Sequence, residues 1–130
     1  MKGTKPTLRT DPAALGELPA PDWLSEDAAA EWTRVMPILT ERRILTEADL
    51  GSLENYCTAI GQVRQMERHL QDYGHILDVE GVWKRNPAVG VQSDAMTRAR
   101  LLAAELGLTP VSRSRPAIRE DADEDDDLVT

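Results

Sequence analysis

Apolar residues recur at steps of three and four through three segments of this chain, which is the spacing that gathers side chains on one face of a helix. In the first segment Ser25 is a suitable N-cap residue, and the acidic residues Glu26 and Asp27 follow it where the helix dipole favours negative charge. Pro37 lies inside this segment and predicts a local kink. The apolar face of the predicted first helix consists of Leu24, Ala28, Trp32, Val35, Met36 and Leu39.

The second segment predicts the longest helix, which begins at Thr46 and ends at Gly74. Thr46 and Asp49 form a weak capping box, and Leu45 is placed to pack on Leu50. Such a helix is about 40 Å long at 1.5 Å per residue, whereas the radius of gyration expected for this chain is about 14 Å. We therefore expect neighbouring subunits to cover part of its apolar stripe, which consists of Leu50, Leu53, Cys57, Ile60, Val63, Met66, Leu70 and Tyr73.

The segment at 75–85 alternates in part between apolar and polar residues, with Glu80 and Gly81 as a turn. This pattern predicts a short β-hairpin or a loop. An isolated hairpin is only marginally stable, so Val79, Val82 or Trp83 must pack on a helix or on another subunit.

The third helical segment starts with Asn86 as N-cap and Pro87 in the first turn, and Gly107 ends it. Gly90 weakens the first turns, which leaves Ser93 as an alternative start. The fold class is therefore mainly α, with about three helices and a short hairpin. The predicted buried side of the third helix consists of Val91, Ala95, Ala99, Leu102 and Leu106.

The chain divides into three parts by composition. Residues 1–22 contain four prolines and predict an extended arm, 23–110 form a helical oligomerisation domain, and 111–130 form a basic arm followed by a disordered acidic tail. The 130 residues include no Phe and three Trp. The core of such a domain is small, so we expect the chain to assemble as an oligomer.

Charge is distributed unevenly, and the net charge of -8 conceals a basic region. Residues 84–119 carry seven basic side chains against two acidic ones. Phosphate attraction depends on nearby charge, because salt screens it within about 8 Å. A solvated basic surface is the alternative to DNA binding. The predicted DNA-binding residues are Lys84, Arg85, Arg98, Arg100, Arg113, Arg115 and Arg119.

The acidic tail is a candidate for docking a partner or for competing with DNA for the basic residues, and a solvated tail is the alternative. The run lacks the glycine turn and the closing Glu of a calcium loop. The predicted partner-docking residues are Glu120, Asp121, Asp123, Glu124, Asp125, Asp126 and Asp127.

Catalytic and metal-binding patterns are not found in the sequence. Cys57 is the single cysteine, so one chain forms neither a disulfide nor a Cys-rich zinc site. His69 and His75 lack a convincing third ligand. No apolar run approaches the roughly 20 residues of a membrane span. We expect a soluble, cytoplasmic, non-enzymatic protein without a metal or cofactor.

Several motifs in order resemble the small terminase subunits of tailed double-stranded DNA bacteriophages. The final motif, Leu-Gly-Leu-Thr-Pro-x-Ser-Arg, occupies residues 106–113. The other matching positions are Lys2 to Pro6, Pro19 to Ser25, Glu31-Trp32, Pro37, Leu39, Ile44 to Asp49, Tyr56-Cys57, Gly74, Asn86-Pro87 and the rest of Leu106 to Arg115.

This resemblance implies a non-enzymatic DNA-packaging component in the cytoplasm of the bacterial host. Proteins of this kind form rings, recognise viral DNA, and deliver or regulate the large subunit that carries the ATPase and nuclease. A helical regulatory protein that binds only protein is the alternative, because the acidic tail could equally shield a basic partner.

Overall fold

The computed structural model describes residues 13–110 and is mainly helical. This confirms the predicted fold class, including the hairpin. Arm residues 1–12 and the whole segment 111–130 lie outside the described residues, so the extended arm and the disordered tail stay predictions. The elements are α1 (Glu26–Arg42), a 3₁₀ turn (Glu47–Asp49), α2 (Leu50–Tyr73), β1 (Ile76–Val79), β2 (Val82–Arg85) and α3 (Pro87–Glu105).

Helix α1 follows the sequence pattern closely. The Ser25 side chain accepts a hydrogen bond from the backbone N–H of Ala28 at 3.2 Å, as expected for an N-cap. The helix continues through Pro37 and ends at Arg42, and the C-cap residue Arg43 is left-handed with φ 55°. All six residues of the predicted apolar face are buried.

The helical segment predicted from Thr46 starts with the 3₁₀ turn Glu47–Asp49, and α2 follows directly at Leu50. The backbone N–H of Thr46 donates to Asp49 Oδ2 at 2.9 Å, which is one half of the predicted capping box. The helix ends before Gly74, whose φ is 84°. Its buried residues are Leu53, Tyr56, Cys57, Ala59, Gly61 and Leu70.

The predicted apolar stripe of α2 is therefore only partly correct. Leu53, Cys57 and Leu70 are buried, whereas Tyr73 is 65% exposed. Helix α2 contacts both α1 and α3, so residues on two of its sides are buried, whereas the sequence pattern predicted one buried stripe.

Helix α3 starts at Pro87, and the Asn86 side chain accepts from the N–H of Ala88 at 3.0 Å. Gly90 does not delay this start. The prediction that Val91 is buried is wrong, because Val91 is 45% exposed. Four alanines and one glutamine form the buried side of α3, and Val91 points outward; the buried residues are Ala88, Gln92, Ala95, Ala99 and Ala103.

The hairpin pairs β1 with β2 in antiparallel register, with Val79 opposite Val82 next to the turn. Glu80 and Gly81 both have positive φ, 54° and 83°, as a two-residue hairpin turn requires. Val79, Val82 and Trp83 are exposed, and Trp83 is 80% exposed. Of the two predicted ways to cover the hairpin, packing on a helix of the same chain is therefore wrong.

The hairpin and the ends of the described chain lie at opposite ends of α2. The N–H of Leu15 donates to the carbonyl of Leu45 at 2.7 Å, and the Arg42 guanidinium donates to the carbonyl of Gly107. These contacts are near the start of α2, and the hairpin follows its end. The 24 residues of α2 separate the two ends by about 36 Å.

Candidate nucleic-acid interface

Two of the predicted DNA-binding residues, Lys84 and Arg85, are exposed and adjacent on β2. Successive side chains on a strand point to opposite faces. Lys84 is paired across the hairpin with Leu77, and Arg85 is paired with Ile76. The hairpin therefore presents one positive charge on each of its faces.

Arg98 and Arg100, the next two predicted residues, are exposed on α3. Because they are two residues apart, they lie roughly 200° apart around the helix. Arg98 leans onto α2, where its Nη2 donates to Gln62 Oε1 at 2.8 Å. The structure thus does not gather the four described basic residues into one cluster. Arg113, Arg115 and Arg119 lie outside the described residues, as does the acidic run from Glu120 to Asp127.

A cleft of about 220 Å³ lies beside Arg98, between α2 and α3. The Oγ1 atom of Thr58, one of its lining residues, is buried and makes no hydrogen bond. The cleft is lined by Asn55, Thr58, Ala59, Gln62, Arg98 and Leu102.

A buried carboxylate joins α1 to α2 on the other side of α2. Glu31 is 1% exposed and accepts two hydrogen bonds from Arg34, at 2.9 Å to Oε1 and 2.7 Å to Oε2. The Tyr56 hydroxyl donates to Oε2 at 2.5 Å, and Arg64 donates to Oε1 at 3.0 Å. Sequence reasoning missed this network, although one signal was available. Glu31 lies among the residues of the buried face of α1 and three residues before Arg34, a spacing at which two side chains of a helix can pair.

The network changes the titration of its members. Burial acts to raise the pKa of Glu31, but the hydrogen bonds from Arg34 and Tyr56, with the charges of Arg34 and Arg64, outweigh it and hold that pKa below its usual value. Burial and the Glu31 carboxylate raise the pKa of Tyr56 to about 12. Glu31 is therefore ionised, and Tyr56 is protonated, at neutral pH.

A second ion pair lies further along the same side of α2. Arg68 donates to Asp27 at 3.1 Å and 2.5 Å, and the hydrogen bond from Arg68 lowers the pKa of Asp27. Within residues 13–110 the ion pairs all involve Asp27 or Glu31. The arginines that contact α1 are thus neutralised by carboxylates, whereas Arg98 contacts a neutral amide.

The two most exposed large apolar side chains of the described residues, Trp83 and Tyr73, lie at the hairpin end. Tyr73 precedes the hairpin, and Trp83 and Val82 lie on its second strand. Ile76 and Trp83 lie on one face of the hairpin, and Val79 and Val82 lie on the other. Exposed apolar surface of this kind is typical of a contact with another macromolecule. We call it the hairpin patch, and its members are Tyr73, Ile76, Val79, Val82 and Trp83.

Other kinds of site receive little support between residues 13 and 110. In that part of the chain no group of three His, Cys, Asp or Glu residues is placed to hold a metal ion. No helix there has both the length and the apolar character needed to cross a membrane. Burial raises the pKa of the Cys57 thiol to about 12, so the thiol is protonated at neutral pH.

Residues 13–110 thus form a small helical fold with exposed basic side chains and an exposed apolar hairpin. The family model of the phage terminase small subunit matches residues 28–123. The match covers most of the chain, so this protein belongs to the phage terminase small subunit family, whose role is in phage DNA packaging. No curated protein and no solved structure matches the chain significantly.

Proposed function

We propose that this chain is the adaptor of a phage DNA-packaging machine. It assembles as a ring in the cytoplasm of the bacterial host, binds double-stranded viral DNA, and recruits or regulates the large terminase subunit. The large subunit, in this proposal, supplies the ATPase and nuclease activities. The observation that carries the proposal is the family match over residues 28–123.

The hairpin patch supports assembly. A two-stranded hairpin is at best marginally stable in water, and Trp83 leaves most of its apolar surface in solvent when the chain is alone. Contact with a neighbouring copy would remove that surface from water and would order the hairpin. The patch lies at one end of α2, so each copy can offer it while the rest of α2 remains covered by α1 and α3.

The separated basic residues support DNA binding by an assembly more than by one copy. Lys84, Arg85 and Arg100 are exposed on different faces, so a single chain neutralises few phosphates at once. Repetition around a ring places equivalent residues at regular intervals, and each phosphate neutralised adds to affinity and to salt dependence.

The first experiment measures oligomer mass by native mass spectrometry and light scattering. We expect a closed oligomer for the natural chain and a shift to smaller species for Trp83→Ser. Leu101→Ser is the matched control, because Leu101 is an exposed apolar residue of α3 outside the hairpin patch. A natural chain that stays monomeric at micromolar concentration contradicts the ring.

The second experiment measures retention of duplex DNA at low salt and capture of the large subunit. We expect the double variant Lys84→Gln and Arg85→Gln to weaken DNA retention. Deletion of residues 120–130 should weaken capture of the large subunit if the acidic run docks it. Capture of the large subunit without any DNA retention would favour the protein-binding regulator.

A further inference from the structure

The cleft between α2 and α3 is lined by Arg98, a cation that forms no ion pair among residues 13–110. Arg98 donates to Gln62 Oε1 at 2.8 Å, and this amide oxygen carries no net charge. Within residues 13–110 the ion pairs are formed by Arg34, Arg64 and Arg68. The positive charge of Arg98 is therefore available to a ligand from solution.

The other lining side chains supply hydrogen-bond donors around that charge. Gln62 uses its oxygen to accept from Arg98, so its amide NH₂ remains for another partner. Asn55 lies about two turns before Gln62 on α2 and brings a second amide to the cleft. A guanidinium with nearby amide donors is a suitable set for a phosphate oxygen.

Thr58 adds a hydroxyl that makes no hydrogen bond within the protein. Its Oγ1 is buried, whereas the residue lines the cleft. A helical Thr divides between two χ1 rotamers, so rotation exchanges the methyl and the hydroxyl. A ligand in the cleft would give this hydroxyl a partner at no cost in internal hydrogen bonds.

We infer that the cleft formed by Asn55, Thr58, Gln62 and Arg98 binds one phosphate group of the nucleic-acid backbone. This inference rests on the proposed DNA-binding function and assigns part of it to a defined place on the chain. Arg98 provides the charge, and the amides and the hydroxyl fix the position of the phosphate oxygens. The contact carries no base specificity, because it involves only the backbone.

The test compares Arg98→Gln with Arg68→Gln, which makes the same change in charge outside the cleft. Fluorescence anisotropy with a short duplex is measured over a series of salt concentrations. We expect Arg98→Gln to weaken binding about tenfold and to reduce the salt slope by about 0.9 per protomer engaged with DNA. Arg68→Gln should leave both quantities close to those of the natural chain.

Inorganic phosphate provides a second measurement that does not require DNA. At constant ionic strength, replacing chloride with phosphate should raise the melting temperature of the natural chain and of Arg68→Gln more than that of Arg98→Gln. The phosphate site is overturned if the two variants respond alike to both phosphate and DNA. Selective loss of the phosphate response in a protein that retains no DNA would support the cleft and contradict the proposed DNA binding.

Discussion

The two covered sides of α2 hold their partner helices by different means. On the α1 side a buried carboxylate, Glu31, gathers Arg34, Arg64 and Tyr56 into one hydrogen-bonded network. On the α3 side small alanine side chains allow close packing, and the hydrogen bonds between side chains join a charged group to a neutral amide, Glu67 to Gln92 and Arg98 to Gln62. This difference distinguishes the arginines that stabilise the fold from those that are available to bind a ligand.

The largest effect should come from removing the charge at the centre of the α1 side. Glu31→Gln keeps the shape of the side chain but loses a bidentate acceptor, so Tyr56 and two arginines lose their carboxylate partner. We expect the free energy of unfolding to fall by about 3 kcal/mol. This value is at the lower end of the range for breaking a buried ion pair, because both arginines are partly exposed to solvent.

Urea denaturation followed by circular dichroism measures this change. Asp27→Asn is the matched control, because it removes the carboxylate of a more exposed pair with Arg68. Its cost should be below about 1 kcal/mol. Equal losses in the two variants would contradict the central role of the Glu31 network.

The same network predicts an acid-dependent loss of stability. The folded-state pKa of Glu31 lies below the ordinary glutamate value of 4.5, so the unfolded state takes up a proton first as pH falls. The contribution of Glu31 is therefore complete above about pH 4.5, and it is lost as pH falls through the lower folded-state pKa. Most of the stability difference between the natural chain and Glu31→Gln should disappear in acid, as urea titrations at several pH values would measure. A difference independent of pH would refute the assignment.

A backbone contact provides the next test of the α1 side. A Cβ atom added at Gly61 would lie 3.1 Å from the backbone nitrogen of Ala28 and 3.1 Å from Ser25 Oγ. Gly61→Ala should therefore lower the free energy of unfolding by about 2 kcal/mol through overpacking and a disturbed N-cap.

Gly90→Ala on α3 is the matched helical control, since nothing lies within 4 Å of its added Cβ. Alanine favours a helix over glycine by about 1 kcal/mol, so this control should gain stability. Thermal unfolding of both variants gives the comparison. A stabilised Gly61→Ala would mean that α1 does not approach α2 as closely as the structure indicates.

Sequence patterns predict the α1 side better than the α3 side for a physical reason. Helix α1 buries a single face, so its apolar spacing identifies all of its buried residues except Glu31. Helix α3 buries a stripe of small residues, and a search for large apolar side chains selects Val91, which is exposed. Burial of Gln92 depends on its hydrogen bonds to Val63 and Glu67 of α2, and no local pattern reports them.

The candidate sites show the same limit. The sequence identifies Arg98 as a basic residue, but its contact with Gln62 joins positions 36 residues apart. The Glu31 network likewise joins positions 25 and 33 residues apart. Such pairings depend on how the helices pack together. The sequence therefore identifies which residues are basic, but it does not show which arginines are neutralised by a carboxylate and which remain available to a ligand.

The smallest expected effect concerns the buried hydroxyl on the α3 side. Thr58→Val replaces Oγ1 with a methyl group of similar size and removes a buried polar atom that has no partner. We expect the free energy of unfolding to rise by about 1 kcal/mol, because the desolvation penalty of that atom disappears. Urea denaturation measures the gain, and Thr58→Ser, which keeps the hydroxyl, should not reproduce it.

DNA affinity of the same variant separates a packing role for Thr58 from a binding role. If the hydroxyl turns towards a bound phosphate, Thr58→Val becomes more stable and yet binds duplex DNA more weakly, whereas Thr58→Ser keeps its affinity. A hydroxyl that only fills space would leave the affinity of both variants unchanged. Opposite changes in stability and affinity would therefore place Thr58 on the binding side of α2, in contrast to Tyr56, whose hydroxyl is committed to Glu31.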